Sequence, residues 1–203
     1  MKFLFFDTET TGKPLDYKAS YEDVDNWPRV TQLAWQVADL EGNVLTSETH
    51  LIKPDGWVIP NEEFFVKNGM STERCEEFGV PIAGVLDLFY ASKLESDVLV
   101  AHNITFDHRI VWAEFIRAGQ QPRSGMHKIC TMNSSTKFCA IPQVGRGGLK
   151  WPKLEELYRI LFAKDFDGAH DALADITATR EAFFELVKRG VITLPALSQT
   201  EAG

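Results

Sequence analysis

The acids in "FLFFDTETTG" pose the first chemical question. Asp7 and Glu9 stand two residues apart at the end of the apolar run "KFLFF". On a strand, residues i and i+2 project from one face. Two carboxylates placed that way beside a core repel each other and push each other's pKa up. A hard divalent cation removes the conflict, because Mg²⁺ and Mn²⁺ prefer oxygen ligands. The same two acids also fit a surface loop, and their spacing alone leaves both readings open. In "AHNITFDHRI", Asp107 falls on the first turn of a helix that follows an apolar run. An acid there can simply compensate the electropositive helix start, yet strand ends that lead into helices are also where open α/β sheets place ligands. In "HDALADITATREAFFELV", His170 precedes a helix and Asp175 lies five positions on. Asp171 reads as the N-cap of that helix, and His170 by itself also reads as a loop histidine with local hydrogen bonds.

The elements that must position these residues follow from apolar patterning. Residues 2–6 form a buried strand. Residues 13–29 are polar, contain two prolines and read as an insertion loop. Residues 30–40 and 43–54 pair as an antiparallel hairpin about the turn "EGN". Residues 60–79 hold short helical turns, and a helix follows Pro81. Residues 97–103 form a second buried strand, leading into a helix that stops at Gly119. A short strand is expected at 127–132 and a loop at 133–150. Helices are expected at 151–162, striped by Leu154, Leu157 and Leu161, and from about Asp171 to Lys188. Early hairpins followed by αβ alternation predict a mixed sheet with helices packed on it. Residues 1–190 read as one domain and 191–203 as a loose tail.

Composition narrows the class. A chain of 203 residues, 44% hydrophobic and 25% charged, can bury a real core. No apolar run approaches the ~20 residues of a membrane span, and "FLFF" is too short for a signal-peptide core. An intracellular, cytoplasmic protein without membrane association is expected. Cys75, Cys130 and Cys139 show no CxxC spacing, which argues against a disulfide framework or zinc site. The net charge of −8 excludes a uniformly basic nucleic-acid coat. The charge is uneven, however. No acid occurs between Glu114 and Glu155, a stretch that holds Arg117, Arg123, Lys128, Lys137, Arg146, Lys150 and Lys153. It fits either a local polyanion surface or a solvated loop.

Taken together and in order, "DTET" at a strand end, "HNITFD" at a strand–helix junction and "HDALAD" opening a late helix resemble the DEDDh class of 3′–5′ exonucleases. This is the DnaQ-like group related to the proofreading epsilon subunit of bacterial DNA polymerase III. The resemblance runs from Phe3 to Val187. It implies an α/β, ribonuclease-H-like fold with a central five-stranded mixed sheet flanked by helices. It implies two divalent cations, Mg²⁺ or Mn²⁺, held by Asp7, Glu9, Asp107 and Asp175, with His170 as general base. It implies release of nucleoside 5′-monophosphates from 3′ ends, with single-stranded DNA the expected polymer and RNA the alternative. The residue types suit that chemistry: two cations activate a water and stabilise the leaving oxygen, and a histidine pKa near ~6.5 suits a base near neutrality. By the same resemblance, Thr8, Thr10, Thr11 and Gly12 meet the terminal nucleotide and Phe106 packs on its base. Asn103, beside His102, is a structural or substrate-contacting residue. From the acid-free stretch, Arg146, Lys150 and Lys153 are candidate guides for the phosphate backbone. The insertion at 13–29 and "LKWPKLEELY" resemble a subset of stand-alone bacterial and phage exonucleases of this class.

Three rival readings remain at this level. One is an RNA-trimming member of the class resembling ribonuclease T or oligoribonuclease. Another is a non-catalytic nucleic-acid-binding subunit. The third is an HD-type phosphohydrolase, prompted by His170–Asp171 but at odds with the strand-rich N-terminal half. No polymerase, repair or defence partner is legible.

Overall fold

The computed structural model describes residues 1–121, 125–145 and 147–195. The apolar run near the N-terminus becomes β1 (Phe3–Thr10), the middle strand of a five-stranded sheet. It pairs antiparallel with β2 (Val30–Ala38) and parallel with β4 (Val98–Ala101). β3 (Val44–Leu51) and β5 (His127–Cys130) form the two edges, giving the order β3-β2-β1-β4-β5. A middle strand covered on both faces reads as an unbroken apolar run rather than an alternating one, as "FLFF" does.

The helices divide between the faces. Leu4 and Phe6 pack with Trp35, Phe89 and Trp112 under α3 (Ile82–Leu94) and α4 (Ile104–Arg117). Phe3 and Phe5 pack with Leu157 and Phe183 under α6 (Leu154–Phe162) and α7 (Ala172–Lys188). The tail expected to be loose from 191 starts out attached, with Ile192 buried in this second layer. Its remainder, 196–203, lies outside the described residues. Two short helices, α1 (Glu63–Lys67) and α2 (Thr72–Phe78), follow β3.

The polar segment 13–29 is irregular apart from one 3₁₀ turn at Val24–Asn26. It is nevertheless tied to α4. Arg117 donates to the Trp27 carbonyl at 2.6 Å, and Trp27 Nε1 donates to the Ser20 carbonyl at 2.8 Å. Glu114 is fully buried beneath it and accepts from Arg29 Nε at 2.8 Å, Arg117 Nη1 at 2.9 Å and the Val30 amide at 3.1 Å. A buried carboxylate is tolerated only with this degree of pairing.

Three boundaries depart from the sequence pattern, the first being β1, expected over residues 2–6 but running to Thr10. The segment expected as loop at 133–150 begins as a helix, α5 (Thr131–Cys139). Its buried positions are Thr131 and Ser135, so it carries no apolar period to detect. Beyond it, Pro142 and Leu149 form an isolated antiparallel bridge. α6 begins at Leu154 rather than 151; the Glu156 carboxylate accepts the Lys153 amide at 2.9 Å and fixes that start. No helix among the described residues is long and apolar enough to cross a membrane.

Candidate active site

β1 continues past the core to Thr10, so Asp7 and Glu9 share the face of Phe3 and Phe5, under α7. Thr8 points to the opposite face, towards α4. There its amide and hydroxyl both donate to Asp107 Oδ1, at 3.1 and 2.8 Å. Asp107 is 3% exposed. The turn from β4 into α4 passes through Asn103, whose φ of 67° is left-handed, a conformation Asn tolerates better than most residues. This sharp reversal places the first turn of α4 over the end of β1.

α7 supplies the third part of the site. Its N-cap is Asp171, as its sequence position predicts. The carboxylate accepts from the amides of Leu173 and Ala174 at 3.1 and 3.2 Å. The helix start is also docked onto β2. Gln32, paired with Glu9 in register, accepts the Ala172 amide and donates to Asp171, both at 3.3 Å. Ala34, paired with Asp7, packs against Ala172 and Ile176. Two alanines facing each other there let the helix lie close to the sheet, which brings Asp175 to the carboxylates of β1. Asp175 accepts the His170 amide at 3.3 Å, and His170 itself has φ 71°. One ligand atom from each of Glu9, His170 and Asp175 lies within 4.8 Å of the others. The exposed Phe64 of α1 meets the His170 ring edge-on at 5.3 Å.

The electrostatics are those of crowded, buried carboxylates. Burial, then Asp107, Asp175, Glu9 and Asp171, hold the Asp7 carboxyl well above the usual carboxylate range. Burial followed by Asp175, Asp107 and Asp171 pushes Glu9 up to about 8. Burial raises Asp107 to about 7, against the pull of its hydrogen bonds from Thr8. Burial also raises Asp175 to about 7, against the His170 amide. The donors are carboxylate oxygens with one imidazole at the rim, a set that suits a hard divalent cation. Glu9, His170 and Asp175 bring ligand atoms together that could hold it, and the Asp7 and Asp107 carboxylates bear on the same cluster.

The remaining candidates separate. Thr10 Oγ1 donates to the Gly12 carbonyl at 2.8 Å, and Thr11 exchanges backbone and hydroxyl bonds with Arg29 at 2.9 and 3.0 Å. This stretch is pinned at the end of β1, beside a register shift between Glu9 and Thr10. Asn103 shapes the turn with its backbone and makes no side-chain cap bond. Phe106 is half-buried against the α4 core and lies 6.4 Å from the Tyr17 ring. His102 is structural: Nε2 donates to the Pro152 carbonyl and Nδ1 accepts from Thr131, both at 3.0 Å, and burial lowers its pKa to about 4. Lys150 Nζ is engaged by Glu156 Oε1 at 2.6 Å. Lys153 is exposed, and Arg146, like Arg123, lies outside the described residues. Gln32, Ala34 and Phe64 were not legible as site residues; only their spatial neighbours single them out.

The arrangement defines a class first: an α/β protein of ribonuclease-H-like fold with an acidic cluster at the carboxyl end of its central strand. Particular proteins share that fold. E. coli exonuclease I bound to a dT13 oligonucleotide superposes with a TM-score of 0.70 at 22% identity, over 92% of this chain and 41% of that one. Exonuclease I from Methylocaldum szegediense superposes with a TM-score of 0.71 at 23% identity, over 93% of this chain and 40% of that one. The chain thus spans about two fifths of the length of these proteins. No protein-family model and no curated protein sequence matches it.

Proposed function

We propose that this chain is a metal-dependent 3′–5′ exonuclease of the DEDDh class that acts on single-stranded DNA and releases nucleoside 5′-monophosphates. The observation that carries the reading is the convergence of Asp7, Glu9, Asp107, Asp175 and His170 from three separate elements. They meet in a fold shared with exonuclease I, whose structures hold dT13 and dA16 oligonucleotides. When bound by the four acids, two divalent cations, Mg²⁺ or Mn²⁺, would acidify the attacking water and neutralise charge on the leaving 3′ oxygen. The chain's own residues do the rest. Asp7 and Glu9 are held in the β1–β2 ladder, opposite Ala34 and Gln32. Asp107 is aimed by Thr8. His170, exposed at the rim beside the Phe64 ring, takes a proton at its ring nitrogen. The same reading keeps residues 1–190 as one exonuclease domain working in the cytoplasm.

Digestion of 3′- and 5′-labelled oligonucleotides tests this. With Mg²⁺ or Mn²⁺, 5′-labelled single-stranded DNA should shorten stepwise from its 3′ end, faster than duplex or RNA, and EDTA should stop it. No turnover with either metal would favour a non-catalytic binding subunit, and faster loss of RNA would move the assignment to RNA trimming.

Thr8→Val removes one of the two hydrogen bonds that aim Asp107. Turnover should fall about tenfold, corresponding to about 1.4 kcal/mol. The Mg²⁺ concentration for half-maximal rate should rise. A metal titration of the variant checks this, and an unchanged titration curve would remove Thr8 from the site.

A further inference from the structure

A basic pocket lies around α4 from the carboxylates, and the site described above does not use it. Its volume is about 560 Å³, and its lining includes Lys18, Tyr21, His108, Arg109 and Lys128 but no Asp or Glu. His108 adds no charge, because burial, then Lys128, Lys93 and Arg109, push its pKa down to about 3. Its Nε2 instead faces Lys128 Nζ at 3.2 Å. The pocket therefore presents three cations, in a chain of net charge −8. Arg109 is held by the Tyr17 carbonyl and lies over the Trp27 ring at 5.8 Å. Lys18 and Lys128 make no ion pair among the described residues. Beneath the wall, Lys93 lies over the Trp112 ring, on which His108 stacks at 4.0 Å.

The position of the pocket indicates its ligand. α4 turns about 100° per residue and rises about 1.5 Å. Asp107 reaches towards β1 while His108 and Arg109 turn into the pocket, so the two sites share the first turns of one helix. Tyr17 and Phe106, with ring centroids 6.4 Å apart, flank this edge, and Tyr17 is 53% exposed. Cations beside an exposed ring form the usual surface for a single strand, the cations taking phosphates and the ring taking a base.

We infer that this pocket binds a backbone phosphate of a single-stranded polynucleotide upstream of its 3′ end, with the exposed Tyr17 ring facing an intervening base. The inference rests on the exonuclease reading for the direction of the strand. It gives the 13–29 segment a role as one wall of the strand's path, and of the cations in the acid-free stretch it selects Lys128.

Fluorescence anisotropy of 5′-labelled dT15 and U15 tests it, across a salt series with Ca²⁺ in place of Mg²⁺. Lys18→Gln/Lys128→Gln in the full chain should raise Kd about tenfold at 0.1 M salt. It should also flatten the log–log salt dependence by about 0.7 for each phosphate that the chain no longer neutralises. Lys137→Gln, on α5, should leave both unchanged, and Lys18→Arg/Lys128→Arg should keep the wild-type slope. A folded Gln variant, verified by its melting curve, with wild-type Kd and slope for both polymers would overturn the inference. So would an equal weakening by Lys137→Gln. Because binding is read without turnover, a flattened slope in the Gln variant of a chain that degrades nothing would sink the exonuclease reading and leave the pocket standing.

Discussion

Asp7→Asn should abolish metal-dependent hydrolysis, with turnover falling at least about 10³-fold, or about 4 kcal/mol of transition-state stabilisation. Asp7 is placed by the middle strand of the sheet and feels Asp107, Asp175, Glu9 and Asp171 together. No other acid in the cluster is pressed by so many carboxylates. Asn keeps the shape and loses the charge, so the variant should remain folded. Its metal-free form should melt above the wild type, because one source of repulsion is gone. Rate measurements alongside melting curves check both halves. Near-wild-type turnover in a folded Asp7→Asn chain would remove the acidic cluster from the chemistry.

The metal-free protein should lose stability as the pH rises from about 5 to 8, and Mg²⁺ should restore most of it at the upper end. In the folded chain Glu9 titrates at about 8 and Asp107 and Asp175 at about 7, all above the unfolded values of about 4. Between those limits the folded state binds more protons than the unfolded state. Linkage then makes stability fall as pH rises through the window, with the loss complete above the folded-state values. A cation that needs ionised carboxylates competes with those protons, so its affinity grows in the same direction. The Tm increase given by saturating Mg²⁺ should therefore exceed that at pH 6 by on the order of 5 °C when measured at pH 8. A metal-free Tm that stays flat from pH 5 to 8, with equal Mg²⁺ shifts at both ends, would refute the uncompensated cluster.

Much of the candidate site was legible because its cues are local. The i, i+2 spacing of Asp7 and Glu9, the helix-opening position of Asp107 and the capping role of Asp171 all depend on neighbours along the chain. So does the buried face of α7, where Ala172, Ile176 and Phe183 are fully buried. Cues that depend on neighbours in space were not legible. Gln32 and Ala34 matter only because β2 lies beside β1 and receives α7. Phe64 matters only because α1 returns to His170. α5 buries Thr131 and Ser135, so it hides from an apolar-period search. The acid-free stretch gives the plainest example. Arg117 pairs with Glu114 just before the stretch, and Lys150 with Glu156 just after it. A run without acids is thus partly neutralised from its own borders, while Lys128 joins Lys18 and Arg109 from distant parts of the sequence.

The five groups of the proposed site are borne by structural units that differ in cooperativity. Asp7 and Glu9 sit in the β1–β2 ladder opposite Ala34 and Gln32, and β1 is further anchored to β4 at Phe3–Phe5, so freeing the two acids requires breaking the β1–β2 ladder. His170 lies outside regular structure in a left-handed conformation, held through its amide by Asp175. Local opening there costs less free energy than global unfolding. On the exonuclease reading, opening there removes the base, and with it turnover, while the strands that present the acids stay intact. Inactivation by heat or denaturant would then precede unfolding, and the recovery of activity on return would need only the re-docking of one helix start.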